Sequence, residues 1–267
     1  MRLARANVRK LVRRPATWVT FLLLLVLLGL IYLALIASSQ QAENPQGALA
    51  ARAIVTFPGA YTATVALVLG IGGLLAVTYG GAIAGSEWSW GTLKAAVARG
   101  ESRTRYTVLG FVAVALIVIV GFLAAFAVGV LLAAGGALLL NVPLTGMSDR
   151  DALTGLPELF GRASLALSMD AALGFAIATI ARSQLAGIGV GIGVYFFEGI
   201  AGAFLPDVFK WFPFAAANAV VASDPTVSNG PVGTQLEPNV AVIVVLVWLV
   251  AALAVSSLWT ERAEIAG

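Results

Sequence analysis

Apolar residues fall along the chain in runs too long for ordinary core helices, each closed by a polar interruption. The runs cover residues 17–37, 62–84, 107–134, 161–181, 185–205 and 239–259. Roughly 20 apolar residues carry a helix across a hydrocarbon core about 30 Å thick, and all six runs reach that length. The third exceeds it, which predicts a tilted helix. Glycines concentrate in the second run, at Gly70, Gly72, Gly73, Gly80 and Gly81. Arg182-Ser183-Gln184 is a tight turn that sets the fourth and fifth runs antiparallel. The pattern predicts an all-α integral membrane protein with six transmembrane helices, forming one domain over residues 1–267.

A basic segment precedes the first run. Arg2, Arg5, Arg9 and Arg13 recur on one helical face, with Ala4, Val8 and Leu11 roughly opposite. That spacing predicts an amphipathic interfacial helix over 2–14, suited to an anionic leaflet and ended by Pro15. The apolar run behind it exceeds the roughly 7–15 residues of a signal-peptide core, so a retained first span is expected.

The polar stretch between the second and third runs combines a helical pattern with clustered positive charge. Ser86 is placed to cap a short helix, and Glu87 would then lie in its first turn, opposite the positive end of the dipole. Trp90, Leu93 and Val97 form an apolar stripe. Lys94 and Arg99 lie off it, and Gly100 is the expected stop. The reading is an amphipathic helix on the membrane surface, with polar groups left for a soluble partner.

The other interruptions carry less. Residues 38–61 are mixed, with Pro45 and Pro58 opposing any long helix. Residues 141–158 form a second polar segment containing Pro143 and Pro157. Pro206 to Phe214 is aromatic and proline-rich, which fits either an aromatic anchor in the headgroup region or a broken, re-entrant segment. Residues 223–238 read as an exposed loop.

Composition narrows the chemistry. The chain is 60% hydrophobic and 11% charged, against about 25% charged for a soluble domain. It has no cysteine and no histidine, so disulfides, thiol nucleophiles, usual zinc sites and Ser-His-Asp machinery are excluded. No metal site, catalytic residue or nucleic-acid partner is expected. No Gly-Lys pair occurs, hence no Walker A loop. Of the 16 Lys and Arg residues, only Arg52, Arg150, Arg162 and Lys210 fall outside the first terminus, the 86–105 loop, the 182–184 turn and the C-terminal tail. The positive-inside rule then puts both termini in the cytoplasm of a cell-membrane protein.

Glu87, Gly91-Thr92-Leu93, Arg99 and Ser102-Arg103, in that order, resemble the loop between the second and third helices of ABC-2-type transporter permeases. In this chain Gly100-Glu101 stands where that family usually has a proline before the Ser-Arg pair. The basic start ending in Arg13-Arg14-Pro15, the six runs and the broken 206–238 loop extend the resemblance over nearly the whole chain. It implies that residues 86–105 are a coupling helix docking on a separate ATPase, through Glu87, Trp88, Trp90, Gly91, Thr92, Leu93, Arg99 and Arg103. It implies an exporter-like permease pairing with a second, identical or paralogous, permease subunit and with two ABC ATPase subunits, which would hold the ATP and Mg. The lipid bilayer is the remaining partner. A passive channel and a membrane-embedded enzyme are the competing classes, and neither a charged pore ring nor a filter sequence is visible.

Two features lie inside the spans. Gly187, Gly189, Gly191 and Gly193 give overlapping Gly-x-x-x-Gly spacings, which serve either packing within the subunit or a subunit contact or hinge. Asp170 and Glu198 are the acids well inside spans, where a carboxylate faces a cavity or a partner. Their positions put both near mid-bilayer on antiparallel neighbours. They line a pathway or bridge helices.

Overall fold

The computed structural model describes residues 2–39, 45–221 and 235–263. Among these the structure is all-helical, with no strand. The helices are α1 (Arg2–Val12), α2 (Pro15–Ser39), α3 (Pro45–Val55), α4 (Gly59–Ser89), α5 (Thr92–Ala98), α6 (Arg103–Leu139), α7 (Arg150–Ala181), α8 (Gln184–Phe204), α9 (Pro206–Phe209), α10 (Pro213–Ala219) and α11 (Pro238–Arg262). Six of them, α2, α4, α6, α7, α8 and α11, are long and apolar enough to cross a membrane.

Two helices form the centre and four surround them. α4 and α7 are mostly buried, whereas α2, α6, α8 and α11 are mostly exposed. The exposed faces are hydrocarbon, such as Val19, Leu22 and Leu33 on α2 and Ile243, Val247 and Val250 on α11. An apolar surface of that extent belongs in lipid, since soluble monomers rarely expose contiguous apolar patches above a few hundred Å². The central pair carries polar residues, among them Thr64, Ser168 and Thr179, that are buried inside the bundle.

Close backbone approach explains the glycines of α4. A Cβ on Gly80 would collide with the carbonyl of Ala171, and one on Gly174 with the carbonyl of Val77. Small residues at such crossings let helices associate by packing where lipid removes the usual hydrophobic drive. The glycines of α8 divide by face. Gly187 and Gly191 are buried against Ala178 and Val77, while Gly189 and Gly193 are exposed with open space beyond them. The first two therefore pack within the subunit.

Several boundaries depart from the sequence reading. α3 forms between the two prolines at 45 and 58, because a proline in the first turn of a helix lacks only an amide that needs no partner there. α4 and α6 run beyond their apolar runs at both ends. α7 begins at Arg150, capped by Asp149, and carries Pro157 inside it. That proline removes one bond near an exposed end, which the helix tolerates. The described start of the 206–238 segment, residues 206–221, is broken into α9 and α10, and α10 is buried against α11, α7 and α4. Most of the 223–238 loop, and the tail from Glu264, lie outside the described residues.

Candidate functional site

The end of the bundle that holds α1, α5 and the α7–α8 turn is organised by one carboxylate. Glu87 lies in the last turn of α4. Its Oε1 accepts from Lys10 Nζ at 2.6 Å and from Arg14 at 3.2 Å. Its Oε2 accepts from the Thr92 hydroxyl at 2.5 Å and the Tyr106 hydroxyl at 2.6 Å. The donors come from α1, from the turn before α2, from α5 and from α6. The carboxylate side chain is 15% exposed and that of Arg14 10%. Charge-assisted bonds in such a partly buried setting are worth roughly 1.5–3 kcal/mol each.

Local sequence builds this arrangement. Lys10 and Arg14 are four apart and face the same neighbour, while Leu11 is buried and Val8 packs against the core. The α1–α2 junction is fixed by the Thr17 hydroxyl, which donates to the Leu11 carbonyl at 2.7 Å. Arg14 also donates to Ser86 Oγ at 2.6 Å, and its guanidinium lies 4.8 Å from the Trp90 ring centroid. Arg182, in the turn between α7 and α8, lies over the Trp88 ring at 5.3 Å. These stacks are cation–π contacts. They tie the start of the chain and the α7–α8 turn to one tryptophan pair.

The short helix in this loop starts later than its pattern suggests. Ser86 and Glu87 do not open it. Ser86 is buried within α4, where its hydroxyl donates to the Ile83 carbonyl. The chain then reverses at Gly91, whose φ of +65° favours glycine. α5 spans Thr92–Ala98, and Gly100, with φ +86°, ends it as expected. Leu93 is buried under α5 and Val97 half-buried, but Trp90 is 64% exposed, so the apolar stripe is shorter than its spacing implies. Lys94 and Arg99 are exposed on the outward side.

The predicted residues thus separate into groups. Glu87, Thr92 and the two tryptophans join the hub. Arg99 stays on the surface. Arg103 turns elsewhere, donating to the carbonyls of Glu261 and Ala263 at 2.9 and 2.8 Å at the end of α11. A cation at a helix C-terminus is favoured there. Sequence reasoning missed Lys10, Arg14, Tyr106 and Arg182. The i, i+4 pair of cations beside Pro15 was the available signal, but it is equally the signature of a lipid-facing basic helix.

Asp170 and Glu198 form the second acidic site. Both are buried, at 1% and 3% exposure, on the neighbouring helices α7 and α8, and Asp170 and Tyr195 of α8 both stand against Gly73. Glu198 Oε1 accepts from the Ala215 amide of α10 at 2.5 Å. Asp170 Oδ1 and Glu198 Oε2 are buried with no hydrogen-bond partner. Asp170 packs under Gly73, where a Cβ would stand 2.8 Å from its Oδ2. Tyr195 is itself anchored, donating to the Gly70 carbonyl at 2.7 Å. Among the described residues no group of acids is placed to hold a metal ion. No protein-family model and no curated protein matches the chain.

Proposed function

We propose that the chain is the membrane-spanning permease subunit of an ATP-driven ABC transporter of the ABC-2 type. In this reading α1 lies along the inner membrane surface, α5 is the coupling helix, and both termini are cytoplasmic. A second permease subunit completes the pathway, two ATPase subunits bind below, and transport runs outward. The chain supplies no ATP site of its own.

The observation that carries this reading is the four-donor hub at Glu87. A partner that presses on α5 acts on an element bonded through Thr92 to Glu87 of α4, the carboxylate that also takes bonds from α6 and the α1–α2 junction. α4 is a central helix packed along α7 and α8, so a shift of α5 reaches the core directly rather than dissipating in a loop. Trp90, Lys94 and Arg99 offer an exposed aromatic and two cations to that partner. The basic charge at this end and the resemblance of the loop support the same reading.

The test is affinity capture of the tagged full chain from its native membrane, with the mass of the assembly measured in detergent. A Walker A protein should be retained with two permease chains, and the Trp90→Ala/Arg99→Glu variant should lose most of it. A single chain that conducts solute with no ATPase attached would replace this reading with a passive channel.

A further inference from the structure

A cleft of about 390 Å³ opens between α2, α4 and α6. Its size is within the roughly 300–1,000 Å³ typical of small-ligand sites. Phe21, Leu24, Leu75 and Phe122 are among its walls, and Gly121 leaves part of it vacant. Trp18 and Val120 on its rim are 60% and 63% exposed, so it opens sideways from the bundle. Three of its four polar side chains are already engaged, Thr20 being the other. The Tyr79 and Thr17 hydroxyls bond each other at 2.8 Å, and Trp18 Nε1 donates to the Val12 carbonyl at 2.8 Å. Such a cleft accepts hydrocarbon and offers a polar ligand one hydroxyl, that of Thr20.

Depth and charge identify the occupant. From Tyr79 to Val68 the cleft follows α4 for about three turns, roughly 16 Å at 1.5 Å per residue. That is about half of a 30 Å hydrocarbon core, the reach of one leaflet. At the mouth lies Val12, the last residue of α1. Arg9, one turn before it on α1, and Arg13, the next residue in the chain, are both exposed and in no ion pair among the described residues. Lys10 and Arg14, in contrast, are held by Glu87. The basic segment therefore divides its charge, with Lys10 and Arg14 turned to the hub and Arg9 and Arg13 left exposed next to the residue at the cleft mouth.

We propose that this cleft holds one acyl chain of an anionic phospholipid of the surrounding bilayer, with the lipid phosphate paired to Arg9 and Arg13. The bound lipid joins α1 to α2, α4 and α6 beside the hub. The inference does not depend on an ATPase partner.

The test titrates the delipidated full chain in micelles with phosphatidylglycerol or phosphatidylcholine of equal chains, counting bound lipid by native mass spectrometry. One phosphatidylglycerol should bind per chain, about tenfold tighter than phosphatidylcholine, from two cations near the phosphate. Arg9→Gln with Arg13→Gln should remove that preference. Gly121→Leu, which extends beside the Phe21 ring into the cleft, should lose both lipids. Gly121→Ala should keep them, since a Cβ there meets only Phe21, at 3.8 Å. Equal binding of the two lipids by the unmodified chain, or undiminished phosphatidylglycerol binding by Gly121→Leu, overturns the proposal. Quenching gives a reading that needs no cleft-filling variant. Phosphatidylglycerol with brominated chains should quench the fluorescence lost in Trp18→Phe, and absence of that quenching also overturns it.

Discussion

Two carboxylate sites divide the molecule, and they are built on opposite rules. At Glu87 four donors converge on two oxygens, and two of the donors are cations. At Asp170 and Glu198 two acids lie buried with an unpartnered oxygen on each. The first site has its charge fully met and holds four elements together. The second has a deficit of donors, relieved at one oxygen by the Ala215 amide. A buried charge is tolerated when paired and bonded, and is expensive otherwise. The hub therefore depends on its negative charge, and the inner pair does not.

The largest expected effect is at the hub. Glu87→Ala leaves the largely buried Arg14 without its carboxylate and removes four accepted bonds. We expect a loss of about 3 kcal/mol in unfolding free energy, with α1 becoming sensitive to trypsin while the spans stay resistant. Glu87→Gln keeps the shape and loses the charge, and should cost about half as much. Lys10→Ala should cost at most about 1 kcal/mol, since that cation is a third exposed and Arg14 remains. Unfolding in mixed micelles, with digestion in parallel, reads all three. A Glu87→Ala chain as stable as the parent would mean that these bonds do not hold the junction.

A smaller effect tests the crowding at Asp170. Gly73→Ala places a methyl group against the Asp170 carboxylate and should cost about 1–2 kcal/mol as overpacking. Asp170→Ala in the same chain removes the obstruction. The double variant should be more stable than the sum of the single changes by about 1 kcal/mol. Additive behaviour in that cycle would separate the two residues and break the packing assigned to the inner site.

The sequence carried the spans well and the sites unevenly, for physical reasons. A run of 20 or more apolar residues has few ways to satisfy its backbone in lipid, so α2, α8 and α11 nearly match their runs. Periodicity was a weaker guide where polar residues extend a helix beyond the membrane. Ser86 and Glu87 have cap-like identities, yet they continue α4, because their side chains bond inward to Arg14 and Lys10 rather than to free amides. That choice depends on α1 lying alongside, which no local window contains. Pro157 misled in the same way, since an exposed helix end absorbs the missing bond. The Gly-x-x-x-Gly spacing in α8 was visible, but its sorting into a packed and an open face depends on where α4 and α7 lie.

The smallest expected effect is the sharpest test of the comparison, because it predicts a change of sign. Amides replace carboxylate oxygens with nearly the same shape while adding N–H donors and removing charge. At Glu87 that exchange works against the site, which already has four donors. At the inner pair it removes a charge that too few donors meet. Asp170→Asn should be neutral or stabilising by up to about 1 kcal/mol, since an amide group replaces an oxygen that has no partner. Glu198→Gln should be close to neutral, because its Oε1 can still accept from the Ala215 amide. If the chain is the permease subunit proposed above, the packing reading has both variants transport as the parent does. If the acids line the pathway instead, the same amides keep the fold and alter transport or substrate-stimulated ATP hydrolysis. Unfolding and transport measured on the same preparations separate these outcomes. A loss of stability in both amide variants as large as that of Glu87→Gln would show that the inner pair is held by its charge after all, and the contrast between the two sites would fail.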